Sequence, residues 1–208
     1  MKKLLFFSAA VLCICASASA ESYKETFDSN SLNWTECTFD NRENIKSFID
    51  RGVLTVHSEK NTNIWTGVTE YSFSESMCYA PIDVQKPFKI ITHFRYDDGD
   101  YACGIRFNMR DNGTYYAIIL KQWASKIVFQ RVVDGEVVGG ISQGYLFPKL
   151  KKGENYELII ENKGGELRVT MQDVPVFAIR YMPCEYTGFG YFTRGDINLY
   201  VDDVEFKQ

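Results

Sequence analysis

Residues 88–136 constrain the fold more than any other part of this chain. Short β-branched and aromatic runs there alternate with turn signals at Asp98-Gly99, Asp111-Asn112-Gly113 and Asp134-Gly135. Such dipeptides suit the tight turns of β-hairpins, whose central residues need positive φ, a conformation that glycine and asparagine adopt with little strain. The stretch therefore predicts consecutive antiparallel hairpins. Alternation across 88–96 turns Phe88, Ile90, Thr92, Phe94 and Tyr96 inward and leaves Lys89, Ile91, His93 and Arg95 outward. By the same test Cys103, Ile105, Phe107 and Met109 face the core, while Ala102, Gly104, Arg106 and Asn108 face out. Along 115–123 the inward set is Tyr116, Ile118 and Leu120, which puts Tyr115, Ala117, Ile119, Lys121 and Trp123 outside.

The start of the chain has a different character. Lys2 and Lys3, an apolar run over 4–16 and the small-residue ending Ala18-Ser19-Ala20 form a secretory signal peptide, residues 1–20, cut before Glu21. The mature protein, residues 21–208, is expected in the periplasm or outside the cell. It reads as one domain, because no linker or composition shift divides it. No later run is long and apolar enough to span a bilayer. The net charge of −4, more acidic once two signal lysines leave, makes nucleic acid a poor partner.

Two of the six cysteines depart with the signal. Cys37, Cys78, Cys103 and Cys184 remain in an oxidising compartment, where one or two disulfides are expected and the pairing is open. These four are scattered, with no C-x-x-C pair and only His57 and His93 as histidines, so they do not spell a zinc site.

Further strand patterns surround the hairpin array, among them 52–57, a segment around 65–73, 126–133, 156–161, 167–171, 176–181, 188–192 and 199–206. No amphipathic helix interrupts them. About ten to twelve short strands at this length predict an all-β fold, a two-sheet antiparallel sandwich of jelly-roll type.

Several segments carry a resemblance to a known superfamily. They are Gly104-Ile105-Arg106-Phe107, Asn112-Gly113-Thr114-Tyr115-Tyr116-Ala117-Ile118, Val128-Phe129-Gln130-Arg131 before Asp134-Gly135, and Tyr200-Val201-Asp202-Asp203-Val204-Glu205-Phe206. The layout resembles the concanavalin A-like lectin/glucanase superfamily, in particular the laminin-G-like and 3-keto-disaccharide hydrolase-like jelly rolls of secreted bacterial proteins. The resemblance implies a ligand face on the concave sheet. It also implies a structural calcium at the sandwich edge, with Asp28 and Asp202 in the corresponding places and the Gly52 carbonyl as a further donor.

If neighbouring hairpins share one surface, their outward residues gather His93, Arg95, Arg106, Asn108, Tyr115, Lys121 and Trp123 around the small Ala102, Gly104 and Ala117. Sugar rings lie on aromatic faces and bond through their hydroxyls to such donors. A solvent-side sheet surface with Arg and Lys stems over apolar neighbours is the plainer alternative. A glycosidase needs two carboxylates about 5–9.5 Å apart, and none of these outward positions is acidic. Glu157 and Glu161 share a strand face but have Ile159 between them, so a solvated face explains them best. Trp34 and Trp65 read as core aromatics ahead of sugar platforms. The expectation is thus a secreted, lectin-like domain binding carbohydrate without catalysis. A glycoside hydrolase or lyase of the keto-sugar type and a non-sugar envelope module are the alternatives.

Overall fold

A computed structural model describes residues 21–38, 46–62, 65–67, 69–99, 102–111, 113–121, 126–138, 142–145, 150–182 and 185–208. The early strands are β1 (Ser22–Glu25), β2 (Thr35–Thr38), β3 (Lys46–Asp50), β4 (Val53–Ser58), β5 (Lys60–Thr62), β6 (Thr69–Tyr71) and β7 (Phe73–Tyr79). They are followed by β8 (Phe88–Gly99), β9 (Ala102–Asp111), β10 (Thr114–Lys121), β11 (Lys126–Val133), β12 (Glu136–Val137) and β13 (Ser142–Tyr145). The last are β14 (Tyr156–Lys163), β15 (Glu166–Met171), β16 (Val174–Arg180), β17 (Gly188–Arg194) and β18 (Ile197–Lys207). No helix among the described residues is long and apolar enough to cross a membrane.

The strands form two eight-stranded antiparallel sheets packed as a sandwich. Sheet I runs β16-β15-β14-β8-β18-β4-β3, with β1 also on β18. Sheet II runs β12-β11-β10-β9-β17-β7-β2, with β13 also on β11, and β5-β6 is a separate ribbon. Two-residue hairpins form where the turn chemistry permits positive φ, at Arg51-Gly52, Asp134-Gly135, Gly164-Gly165 and Gln172-Asp173.

The inner faces hold the core, as the alternation requires. Phe88, Ile90, Thr92, Phe94 and Tyr96 are all buried, as are Cys103, Ile105, Phe107, Tyr116, Ile118 and Leu120. Trp34 is a core residue, stacked on Tyr191 at 5.5 Å and edge-on to Phe27 and Phe189. Phe189 of sheet II meets Phe206 of sheet I edge-to-face at 5.3 Å. One hydrogen bond also joins the layers. The fully buried Tyr191 hydroxyl donates to Thr92 Oγ1 at 2.7 Å, and Thr92 donates onward to the Asp203 carbonyl at 3.0 Å.

Four expectations need correction. The Asp98-Gly99 signal does not close a hairpin: β8 pairs with β14 and β18 in sheet I, whereas β9 pairs with β10 and β17 in sheet II. Both edges of β8 are taken, so the chain crosses from one layer to the other, an arrangement that buries the same alternating residues a hairpin would. Asn108 and Met109 exchange faces, because β9 bulges where Asn108 adopts φ +51° and the register with β17 slips between Gly188 and Phe189. Asn108 turns inward and donates to the Tyr181 hydroxyl, which itself donates to the Val84 carbonyl. Met109 instead stands opposite Gly188 on the outer face. Trp65 lies outside the core at 90% exposure. Cys78 and Cys103 are buried thiols outside any disulfide, so of the expected one or two disulfides a second is excluded. The Cys37 side chain and Cys184 lie outside the described residues.

The bond between the layers sets a stability expectation. Tyr191→Phe keeps the ring and the Thr92 to Asp203 bond, so it should destabilise by about 1 kcal/mol, whereas Tyr191→Ala should cost about 3–5 kcal/mol by opening a cavity. Urea unfolding of both variants checks the ratio.

Candidate functional site

The outward residues of sheet II fall into cross-strand rows. Opposed residues of antiparallel strands share a face, so the register aligns Val128, Ile119, Gly104, Phe192 and Glu75 in one row. The next row holds Gln130, Ala117, Arg106, Gly190 and Met77. Small residues in the middle strands and larger ones on either side leave an open groove of about 440 Å³ over this face. Gly104 is needed on the floor. A Cβ there would run into the Ile118 carbonyl oxygen and stand 3.0 Å from the Phe192 ring.

Arg106 is the centre of the floor. Its guanidinium lies 4.3 Å from the Tyr115 ring centroid, 4.8 Å from Phe73 and 5.3 Å from Phe192. Its Nη1 donates to both carboxylate oxygens of Glu75 at 3.2 Å. Glu75 is completely buried and the Arg106 side chain only 13% exposed, which makes this an interior ion pair. Burial pushes the Glu75 carboxyl above its usual range, and the charge and hydrogen bonds of Arg106 offset part of that rise. Phe73 stacks on Phe192 at 5.8 Å. Lys121 and Arg194 stand among the groove's lining residues, and Tyr71 brings the β5-β6 ribbon to its edge.

No protein-family model matches the chain, and no curated protein matches it. Its fold is nonetheless shared with solved structures. A carbohydrate-binding module from Bacillus subtilis superposes with a TM-score of 0.54 at 14% identity, covering 82% of this chain and 94% of that one. The VIP36 exoplasmic/lumenal domain, in a form bound to calcium and Man3GlcNAc, gives 0.59 at 10% identity over 83% and 82%. The catalytic domain of an endo-1,3-β-glucanase (laminarinase) from Thermotoga petrophila gives 0.60 at 10% identity over 89% and 96%. At such identities the likeness establishes the jelly-roll sandwich and nothing finer.

The seven residues expected on one surface divide. Arg106, Tyr115 and Lys121 do share the groove. His93 and Arg95 lie on β8 in sheet I and face outward on the opposite side of the sandwich, because their strand joined the other layer. Asn108 is buried by the bulge described above. Trp123 lies outside the described residues. The expectation of an acid-free trough is also corrected, since Glu75 stands on this same face, buried against Arg106. The sequence pattern placed a strand around 65–73, where the short β6 (Thr69–Tyr71) lies, but did not mark β7, which begins at Phe73. Alternation over Phe73, Glu75 and Met77 is the signal that would have found it.

The outer face of sheet I pairs its own charges. His93 contacts Asp203 through Nδ1 at 2.7 Å and Glu157 through Nε2 at 3.2 Å, and Lys24 reaches Asp203 at 2.9 Å. Arg95 lies 3.6 Å from Asp202 and over the Tyr200 ring. For the expected calcium, Asp28 lies beside Gly52 and accepts from Thr26 at 2.8 Å, while Asp202 already neighbours Arg95. Among the described residues no three His, Cys, Asp or Glu side chains gather as a metal would require. That donor set fits calcium poorly.

Two expectations follow from these charges. Burial lowers the affinity of His93 for its proton, but the hydrogen bonds and charges of Asp203 and Glu157 outweigh this and raise its pKa. A raised folded pKa stabilises below the unfolded value of about 6.5 and is lost as pH rises through the folded value. Melting temperature should therefore rise between about pH 8 and pH 6 in the parent, and rise less in His93→Gln. In the groove, Arg106→Met leaves a buried carboxylate alone and should cost about 3–5 kcal/mol at neutral pH, with much of the loss recovered in Arg106→Met/Glu75→Gln. The single variant should also gain stability on acidification, as Glu75 takes up its proton.

Proposed function

We propose that this chain is a carbohydrate-recognition domain that holds a glycan in the groove of sheet II without cleaving it. The observation that carries this reading is the groove floor, where a guanidinium is held among three aromatic rings over a small-residue trough. Tyr115 and Phe73, each part-exposed, offer apolar surface suited to the C–H side of a pyranose ring, with the buried Phe192 backing Phe73. Arg106 uses Nη1 for Glu75, and the rest of its five-donor fork, with Gln130 and Lys121, supplies hydrogen bonds for hydroxyls. The carbohydrate-binding module and the mannose-oligosaccharide-bound lumenal domain that share the fold support the same reading. Export under the signal at residues 1–20 would bring the domain to extracellular or periplasmic glycans.

A hydrolase is the second reading, and one observation favours it. Glu75 is a buried carboxyl on the groove face beside Arg106 with its pKa raised, the condition of a general acid. Against it, the groove's described lining residues include no second acid.

A glycan array with the exported chain tests both. The parent should bind a defined class of glycans, and Tyr115→Ala should weaken that binding about fivefold or more, the value of an aromatic contact near 1 kcal/mol. No binding to any glycan, or equal binding by the variant, would overturn recognition in this groove. If the parent releases reducing ends from a bound glycan and Glu75→Gln does not, the hydrolase reading replaces it.

A further inference from the structure

Sheet I ends at β16 and sheet II at β12, and along this side of the sandwich the two layers part. A crevice of about 320 Å³ opens between them, lined by Phe129, Val138, Ile179 and Met182 together with the ring of Tyr116. Its size and apolar lining are those of a small-molecule site. The crevice is separate from the groove on the outer face of sheet II, because Tyr116 and Phe129 belong to the core face of that sheet. Two cations also line it, Arg131 and Arg180, and the described lining residues include no Asp or Glu.

Arg131 occupies a position that parity gives to the core. The register sets it opposite Tyr116, and it follows Phe129 by two residues on β11, so it shares their inward face. The residue is half-buried. Its Nη1 donates to the Met182 Sδ at 3.7 Å, and its guanidinium lies 5.9 Å from the centroid of the Tyr116 ring. A thioether is a weak acceptor and a ring face carries no net charge, so these contacts position the guanidinium without neutralising it. Arg180, exposed at the rim, comes from the other sheet. The register sets it opposite Glu166, but that carboxylate bonds to Arg168. Among the described residues neither Arg131 nor Arg180 makes an ion pair. A charge turned toward a protein interior is costly unless it is paired, and the arginine fork matches the geometry of a carboxylate.

We propose that this crevice is a second binding site, one that takes an apolar carboxylate. The hydrocarbon part lies between the sheet edges against Phe129, Val138 and Ile179, where the flexible Met182 adapts to its shape. The carboxylate is held by Arg131 from sheet II, with Arg180 of sheet I at the rim. The site is independent of the carbohydrate reading, which concerns the outer face of sheet II.

Calorimetric titration of the whole exported chain with octanoate, octanol, octylamine and butyrate tests it. Octanoate should bind at least about tenfold more tightly than octanol, the effect of charge-assisted hydrogen bonds to arginine. It should also exceed butyrate by at least about tenfold, because each buried methylene adds to the affinity, and octylamine should bind more weakly than octanol. Arg131→Met keeps an apolar stem on the inward face, so it should reduce octanoate affinity about tenfold and leave octanol affinity within about twofold. Arg180→Gln, at the exposed rim, should reduce octanoate affinity about threefold, and circular dichroism checks that both variants fold. The proposal falls if octanoate does not bind, or if octanol or octylamine binds as tightly, since the crevice would then read no negative charge. It also falls if butyrate matches octanoate or if Arg131→Met keeps the full octanoate affinity. Sedimentation of the chain with phosphatidylglycerol vesicles that octanoate does not compete away would overturn it too, because the occupant would then be a membrane surface.

Discussion

Everything in this molecule follows from two sheets burying one face each against the other. Phe94, Leu158 and Leu199 of sheet I and Ile105, Ile118 and Tyr191 of sheet II surround a small apolar gap at the centre of the interface. The dense packing of such an interior admits only residues of one parity from each strand. Every residue of the other parity is forced to an outer surface, so the composition of the two outer faces is a consequence of which residues the core accepts. On sheet I that remainder is long and charged, and it closes on itself in pairs such as His93 with Asp203 and Lys207 with Glu205. On sheet II the remainder is Ala102, Gly104 and Ala117 bordered by aromatic rings, which cannot fill the space above them.

The Arg106–Glu75 pair gives that trough its rigidity. Taking two charges out of water costs several kcal/mol per ion, so a buried pair contributes little net stability, and its effect lies in orientation. Glu75 anchors one nitrogen while Phe73, Tyr115 and Phe192 surround the guanidinium, so the arginine is held in place before any ligand arrives. A surface whose donors and rings are already ordered loses less conformational entropy on binding than one that must assemble them. Glu25 plays a comparable part at the edge, where its buried carboxylate accepts from the Phe27 and Leu32 amides and the Ser31 hydroxyl and fixes the loop that carries Trp34 into the core.

Much of the fold was legible in the chain because alternation is a local property. The inward sets of β8 and β10 came from counting by two, as did Cys103, Ile105 and Phe107 of β9, and the β9–β10 and β11–β12 hairpins came from their turn signals. For the same reason Arg106, Tyr115 and Lys121 could be assigned to one outer surface. The failures share a cause as well. A run with one apolar face buries it equally well as a neighbour in the same sheet or as a partner across the sandwich, so nothing local placed His93 and Arg95 on the far side. A bulge alters parity by a single residue, and only the positive φ of Asn108 and its bond to Tyr181, distant in sequence, show that it occurs there.

The sequence by itself determined an all-β chain with two-faced strands separated by tight turns, because side-chain alternation and turn stereochemistry act between near neighbours. Tertiary structure alone decided which layer each strand joins, that Glu75 lies against Arg106, that Trp65 stands in solvent and that Cys78 and Cys103 remain thiols. Those outcomes depend on contacts between residues far apart along the chain, where register and layer assignment are settled by the whole core at once.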